Sequence, residues 1–196
     1  MKNIEIDVRG TSALLMNNAE GADPLNQFAK ELKKVSGKTK KTEEDHILMS
    51  DIEWRKNLYW NDELGVHIPA ENLASMIAGS MRLSKQGKQS IHILVDDDMP
   101  LGFKNSKNID RLSKDPEMRK RANVKNGMKT VQRTRPQIPN GWTGTIKLLV
   151  DVDGIDPDQV VDFVKRAGHV VGLGDWRPSS PKPGRFGRFE VVEVRQ

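Results

Sequence analysis

The residues best suited to hold a ligand lie in one glycine- and arginine-rich segment near the C-terminus, residues 172–188. It contains four glycines, three prolines and four basic residues, and Asp175 is its only acid. Glycines let another backbone approach closely and leave amide N–H groups free to point at oxyanions. Arginines pair with phosphates through forked hydrogen bonds. This composition predicts a loop that contacts a nucleic-acid backbone.

The loop also carries Trp176, on which a base could stack, a contact typically worth about 1–3 kcal/mol. A structural interpretation stays open, in which the glycines form tight turns, Trp176 is buried and the arginines are solvated. A dinucleotide-binding fingerprint is excluded, because it follows a strand and opens a helix, whereas here the pattern predicts the reverse order. The predicted loop contacts are Gly172, Gly174, Trp176, Arg177, Lys182, Gly184, Arg185, Gly187 and Arg188.

A second basic segment covers residues 104–135. Eleven Lys and Arg residues and three acids give it a net charge of +8, and since the whole chain carries +5, the remainder carries −3. A mildly acidic body with one strongly basic segment indicates a polyanionic partner. The alternative is an insertion that its charge keeps soluble. The basic side chains predicted to extend the binding track are Lys120, Arg121, Lys125, Arg133 and Arg135.

The elements that must position these segments follow from the apolar patterning. Alternation predicts a first strand over residues 2–16, interrupted at Gly10-Thr11-Ser12, and apolar spacing at three and four residues predicts helices. Thr42 and Asp156 are placed to cap two of those helices, and Gly172 to end the last one. The other predicted elements are helices over residues 24–35 and 69–87, a hairpin over 58–68, and strands over 91–95, 142–152 and 189–194.

This order predicts an α+β protein, with all 196 residues in one domain. We expect a ferredoxin-like antiparallel sheet with helices on one face. The segment 104–135 shows weak periodicity, so we expect it to be a long basic insertion, or finger, between two strands of that sheet.

Three stretches resemble the RAMP superfamily, the ferredoxin-like RNA-binding proteins of CRISPR effector complexes. Gly184-Arg-Phe-Gly-Arg-Phe-Glu-Val191 looks like its glycine-rich loop, between the last helix and the last strand. Ile6-Asp-Val-Arg-Gly-Thr-Ser-Ala-Leu-Leu-Met16 is similar to its first strand and turn, and His67-Ile-Pro-Ala-Glu-Asn-Leu73 to the start of a helix. Gly172-Leu-Gly-Asp-Trp-Arg177 also resembles a motif of uncharacterised phage and prophage proteins.

The resemblance implies that the protein binds nucleic acid and self-associates along the strand, because backbone subunits of that family polymerise on a guide RNA. An inserted finger separates groups of bases there, and the segment 104–135 would suit that part. The family's processing nucleases carry a histidine in the N-terminal turn, where this chain has Thr11 and Ser12. The resemblance therefore implies binding without cleavage.

Other chemistry is excluded or less favoured by the composition. The chain has no cysteine, so disulfides, thiolate zinc sites and cysteine nucleophiles are excluded. The four histidines show no ligand spacing, and we expect His67 and His92 to pack on strands. The aspartates 96–98, joined by Asp151 and Asp153, could hold magnesium at a strand end, although turn formation and solubility explain such clusters more often. No apolar run is long enough to span a bilayer, so we expect a cytoplasmic protein without membrane contact.

The leading hypothesis is a non-enzymatic protein that binds single-stranded RNA or DNA and needs no cofactor. One alternative is a magnesium-dependent nuclease that uses the aspartates 96–98. Another is a protein-interaction or assembly module whose basic finger docks an acidic partner.

Overall fold

Ten strands and five α-helices lie within the residues that the structure describes. The computed structural model describes residues 1–126 and 128–196, and the side chains of all of these except 125, 126, 129 and 130. The strands are β1 (Lys2–Gly10), β2 (Leu14–Leu15), β3 (Trp60–Asn61), β4 (Gly65–Ile68), β5 (Ile93–Val95), β6 (Met99–Pro100), β7 (Arg119–Asn126), β8 (Lys129–Ile138), β9 (Thr143–Val150) and β10 (Phe189–Arg195). The α-helices are α1 (Gln27–Ser36), α2 (Glu43–Asn57), α3 (Ala70–Leu83), α4 (Ile109–Lys114) and α5 (Pro157–Val170). Short 3-10 turns lie at Ala19–Ala22, Gly87–His92 and Pro116–Met118.

The central sheet has the strand order β10-β1-β9-β5, and its neighbouring strands are antiparallel. Along the chain these elements follow as β1, α3, β5, β9, α5 and β10. The sheet order is therefore fourth, first, third, second, which is the order of a ferredoxin-like βαββαβ unit. The predicted α+β class and ferredoxin-like core are confirmed.

The core lies between one face of this sheet and the helices α3 and α5. Successive strand residues point to opposite faces. Ile4, Ile6 and Val8 of β1 are accordingly buried, while the charged residues between them lie on the other face. Helix α5 lies close to β10 because Gly168 has no side chain. A Cβ at this position would overlap the main-chain oxygen of Phe189.

The helix starts follow local capping chemistry. Thr42 and Asp45 form a capping box at the start of α2, and Asp156 caps α5, as the sequence predicts. The predicted start of α1 at Pro24 is wrong, because the side chain of Asn26 accepts the N–H groups of Phe28 and Ala29 and starts the helix there.

Two other predicted boundaries are also wrong. Helix α3 ends at Leu83 rather than at Gly87, because Lys85 has a positive φ of 60° and the N–H of Gln86 returns to the oxygen of Met81. The predicted first strand over residues 2–16 is two strands. The chain leaves the central sheet at Gly10, and the apolar β2 pairs with β8 instead.

The segment 104–135 contains α4 and most of a long β7–β8 hairpin. Strands β2, β8 and β7 form a second antiparallel sheet, against which α2 packs. Two buried contacts fix this packing. The indole N–H of Trp54 donates to the oxygen of Met118 at 2.8 Å, and a carboxylate oxygen of Glu53 accepts the N–H of Thr134 at 2.8 Å. Within the described residues, no helix has both the length and the apolar character needed to cross a bilayer.

Candidate nucleic-acid interface

The glycine-rich loop, residues 172–188, is fastened to the segment that follows β1. Asp175 donates its N–H to the oxygen of Leu15, and Gly187 donates to the oxygen of Ala13, both at 2.8 Å. The hydroxyl of Ser12 accepts the N–H of Arg188 at 2.9 Å. Since β2 pairs on its other side with β8, the loop and the hairpin are held against the same short strand.

The glycines of the loop allow its backbone segments to approach each other. A Cβ at Gly174 would overlap the oxygen of Leu15, one at Gly184 that of Trp176, and one at Gly187 that of Leu173. The expectation that the glycine amides are free for oxyanions is wrong for Gly172, Gly184 and Gly187, whose N–H groups donate to main-chain oxygens of the protein. The N–H groups of these three glycines are therefore not free to bind a phosphate.

The polar and aromatic side chains of the loop fall into two groups. Arg177 is half-buried and donates to the oxygen of Gly174 at 2.8 Å, which turns it inwards. Trp176 is half-buried beside Phe186, with 6.3 Å between ring centroids, and it has a positive φ of 51° that glycine would adopt more easily. The other basic side chains are exposed: Lys182, Arg185 and Arg188.

The hairpin brings three of its predicted basic contacts to one face. Residues directly opposite each other in an antiparallel pair lie on the same face. Lys120 is opposite Arg135, and Arg133 follows two positions earlier on β8, whereas Arg121 lies on the other face opposite Thr134. The side chain of Lys125 lies outside the described part of the chain.

One ion pair joins the two basic segments. Arg135 Nε of the hairpin donates to a carboxylate oxygen of Asp175 in the glycine-rich loop at 3.0 Å, and both side chains are mostly buried. A similar pair anchors the hairpin to α2, where Arg133 lies 2.6 Å from the buried carboxylate of Glu53. The loop and the hairpin therefore meet, although they are about 40 residues apart in the sequence.

Two adjoining cavities open on either side of this contact. The first, the loop cavity, has a volume of about 500 Å³ and lies between the glycine-rich loop and α3. The second, the hairpin cavity, has about 360 Å³ and lies between β7–β8, α2 and the turn Ala19–Ala22. Asn17 and Ala19 line both cavities. We call the two cavities together the basic groove.

Basic side chains dominate this groove. Its charged lining consists of five basic residues and two acids, namely Arg82, Arg177 and Asp175 in the loop cavity, and Lys56, Arg133, Arg135 and Glu53 in the hairpin cavity. Of the predicted contacts, Gly172, Gly174, Arg177, Arg133 and Arg135 line the groove. The predicted contacts that line neither cavity are Trp176, Lys182, Gly184, Arg185, Gly187, Arg188, Lys120 and Arg121.

Two basic residues of the groove were not predicted from the sequence. Lys56 is near the end of α2 and Arg82 near the end of α3, outside both basic segments. A basic residue in the last turn of a helix is common for electrostatic reasons, so nothing in the local pattern marks these two. Burial lowers the pKa of the Lys56 ammonium, Glu53 raises it, and Arg133 and Arg135 lower it.

The open face of the central sheet carries a larger cavity, of about 1160 Å³, but its charge is of the opposite sign, because five acids and three basic residues line it. On the open face of the central sheet, hydrogen bonds from Arg195 and Thr145 lower the pKa of Asp7 to about 2. Arg195 also bonds Glu5, and Arg9 lies 2.7 Å from Glu190. Arg9 and Arg195 are therefore already paired with carboxylates, and the negative charge of these carboxylates would repel a polyanion.

Two of the aspartates 96–98 are used in the fold. Asp98 accepts the N–H of Ala70 at 2.9 Å and so caps α3, while Asp97 lies 3.0 Å from Lys147. In the part of the chain that the structure describes, no three His, Cys, Asp or Glu residues come together as a metal site would require. The magnesium-site alternative therefore gains no support.

The two histidines that we expected to pack on strands differ. His67 is buried in β4, as predicted. His92 lies at the end of a 3-10 turn instead, and its 2.8 Å hydrogen bond lowers the pKa of Asp151.

Fold and site together define an α+β, ferredoxin-like protein with one basic groove. No protein-family model matches the chain, and no curated protein does. Among solved structures, it is similar to a chain in the cryo-EM structure of the Type III-B Cmr-beta bound to cognate target RNA, with 9% sequence identity and a TM-score of 0.48. The match covers 98% of this chain but only 59% of that chain, so this chain spans less than two thirds of its length. We therefore infer function from the residues of this chain.

Proposed function

We propose that this protein binds single-stranded nucleic acid by its phosphate backbone in the basic groove and does not cleave it. The observation that carries the proposal is the contact between Arg135 and Asp175, which brings the glycine-rich loop and the basic hairpin to one groove. A single basic cavity would suit a small anion equally well. Two adjoining cavities with an excess of cations suit a chain of phosphates, because successive phosphates of the strand can each contact a different basic side chain.

The groove also favours a single strand over a duplex. Its cavities are partly enclosed by α2, α3, the loop and the hairpin, which a flexible strand can enter more easily than a rigid duplex. Exposed basic side chains on the outer part of the loop, Arg185 and Arg188, would extend the track beyond the groove. The partly exposed ring of Trp176 is placed on the same loop to stack on a base.

Binding without cleavage fits the turn after β1. Ser12 stands where the resembled nucleases carry a histidine, and its hydroxyl holds the N–H of Arg188. Its main-chain oxygen accepts the indole N–H of the buried Trp142 at 3.1 Å. Ser12 is therefore occupied in fastening the loop. Self-association along the strand is also part of this proposal, and it rests on the resemblance to the RAMP superfamily alone.

The test measures the fluorescence anisotropy of labelled RNA and DNA single strands of matched sequence, roughly 30 nucleotides long. We expect binding at low salt that weakens as salt rises, because phosphate contacts release counterions. Arg82→Gln, inside the groove, should weaken binding about 3- to 10-fold. The joint change of Arg185→Gln and Arg188→Gln should weaken it about tenfold if the outer loop takes part.

The matched control is Arg166→Gln, which removes an exposed arginine from α5, outside the lining of the groove. It should keep the affinity of the unmodified protein. No binding of either strand at low salt would overturn the proposed function. Equal losses for Arg82→Gln and Arg166→Gln would mean that general charge, and not the groove, attracts the strand. The RNA and DNA curves, compared directly, assign the natural polymer.

A further inference from the structure

The hairpin cavity concentrates positive charge more than the rest of the groove does. Lys56, Arg133 and Arg135 line it, together with Glu53. The two arginines each have a carboxylate partner, Glu53 for Arg133 and Asp175 for Arg135. The ammonium of Lys56 donates instead to the main-chain oxygen of Gly21 at 3.2 Å. Among the described residues, Lys56 is thus the cation of this cavity that lies in no such ion pair, although the charge of Glu53 acts on it from a longer distance.

The fold holds Lys56 in place at an electrostatic cost. Its stem packs on the buried Gly21, where a Cβ would lie only 2.8 Å from Lys56 Cγ. Burial lowers the pKa of Lys56 most, the charge of Glu53 raises it, and Arg133 and Arg135 lower it; the pKa is lowered overall, so the charged form is disfavoured. A positioned lysine beside two arginines is a common way of preparing a site for an anion.

The chemistry of the lining identifies the anion. Two guanidinium groups and one ammonium offer forked and single hydrogen bonds, which suit the oxygens of a phosphate group. Asn17 and Asn18 line the same cavity and add polar groups without charge. A volume of about 360 Å³ has room for a phosphate with its sugar.

We propose that the hairpin cavity is a phosphate-binding subsite in which Lys56, Arg133 and Arg135 hold one phosphate group of the strand. This rests on the proposed function. The phosphate is either an internal phosphodiester or the terminal phosphate of a strand, and the two share the same chemistry.

The decisive variant is Lys56→Met, which keeps the packing of the stem and removes the charge. Its control is Lys165→Met, which removes an exposed lysine on α5. In anisotropy titrations we expect Lys56→Met to weaken strand binding about 5- to 20-fold and to make the slope of log affinity against log salt shallower by about 0.7. Lys165→Met should change neither quantity.

Thermal melting separates a binding role of Lys56 from a structural one. Without ligand, Lys56→Met should melt at or above the temperature of the unmodified protein, because a disfavoured charge has been removed. Sodium phosphate should raise the melting temperature of the unmodified protein more than sodium chloride of equal ionic strength, and Lys56→Met should lose this difference. Strands with and without a 5′- or 3′-phosphate distinguish the sources, since a preference for one phosphorylated end that Lys56→Met abolishes assigns a terminal phosphate.

The subsite is overturned if Lys56→Met keeps both the affinity and the salt slope of the unmodified protein, even though that protein binds strands normally. If the unmodified protein binds no strand, the proposed function fails, and the melting experiment still decides on the subsite. A phosphate-specific stabilisation that Lys56→Met loses supports the subsite. A stabilisation equal in both proteins, or a melting temperature that falls in Lys56→Met without ligand, overturns it.

Discussion

At the scale of single residues, the glycines of the loop suggest phosphate binding by their type, but in the structure they allow the backbone to pack closely. Gly187 has a positive φ of 68°, donates its N–H to the oxygen of Ala13, and leaves no room for a Cβ beside the oxygen of Leu173. Its conformation and its surroundings therefore both require glycine. The N–H of Gly187 is therefore unavailable to a phosphate, whereas the basic side chains of the loop remain candidates for such a contact.

This predicts that Gly187→Ala destabilises the protein strongly. The left-handed backbone costs about 1–2 kcal/mol and the overlap with Leu173 about 1–3 kcal/mol, so we expect a loss of about 3 kcal/mol in the free energy of unfolding. Gly141→Ala is the matched control, because Gly141 also has a positive φ but nothing lies within 4 Å of an added Cβ. It should cost only about 1 kcal/mol. Urea unfolding of both variants measures the difference, and equal losses would show that the loop can yield at Leu173.

At the scale of elements, the sequence allowed the central sheet and the capped helices to be predicted. The alternation in β1 and the caps at Thr42 and Asp156 are local signals, and local structure follows them. The interruption at residues 10–12 could be predicted, but not that the two parts join different sheets, because β2 is defined by its partner β8, more than a hundred residues away. An unbroken apolar run does not show which sheet will bury it.

The difference between local signals and long-range packing also explains which residues of the basic groove could be predicted. The two basic segments stand out in the sequence, and each contributes to the groove. Lys56 and Arg82 do not stand out, since each lies in the last turn of a helix, where basic residues are common. Their position in the groove depends on how α2 and α3 pack against the hairpin and the loop, which the order of residues in either helix does not reveal.

The contact between loop and hairpin gives a prediction at this scale. Asp175→Asn should lower stability by about 1 kcal/mol, because it removes the mostly buried partner of Arg135. It should also raise the affinity for a single strand about 2- to 5-fold, because the groove loses a negative charge and Arg135 becomes available to phosphate. Opposite signs for stability and affinity are expected of a residue that restrains a binding cation.

Urea unfolding and anisotropy titration on the same preparation measure the two effects. Asp162→Asn serves as the control, since its carboxylate is exposed on α5 and pairs only with Lys165 among the described residues. It should leave both stability and affinity unchanged. A fall of affinity together with stability in Asp175→Asn would mean that the ion pair shapes the groove and that its loss deforms the site.

At the scale of the whole molecule, charge is divided between two sides. The open face of the sheet carries cations that are already paired, as those of Arg9 and Arg195 are, whereas the basic groove gathers an excess of cations. The net charge of +5 alone would attract a polyanion to the protein in any orientation. The uneven distribution of charge between these two sides instead directs a strand to the basic groove. The number of basic residues in the groove then limits how many phosphates the protein can contact.

The salt dependence of binding tests this limit. Each phosphate contacted on a single strand contributes about −0.7 to the slope of log affinity against log salt. The groove is lined by five basic residues, two of them held by carboxylates, so three to five contacts and a slope between about −2 and −3.5 are expected. Anisotropy titrations of one labelled strand at several salt concentrations give the slope directly. A slope near zero would remove the phosphate backbone as the ligand, while one steeper than about −3.5 would require basic residues outside the groove, such as Arg185 and Arg188.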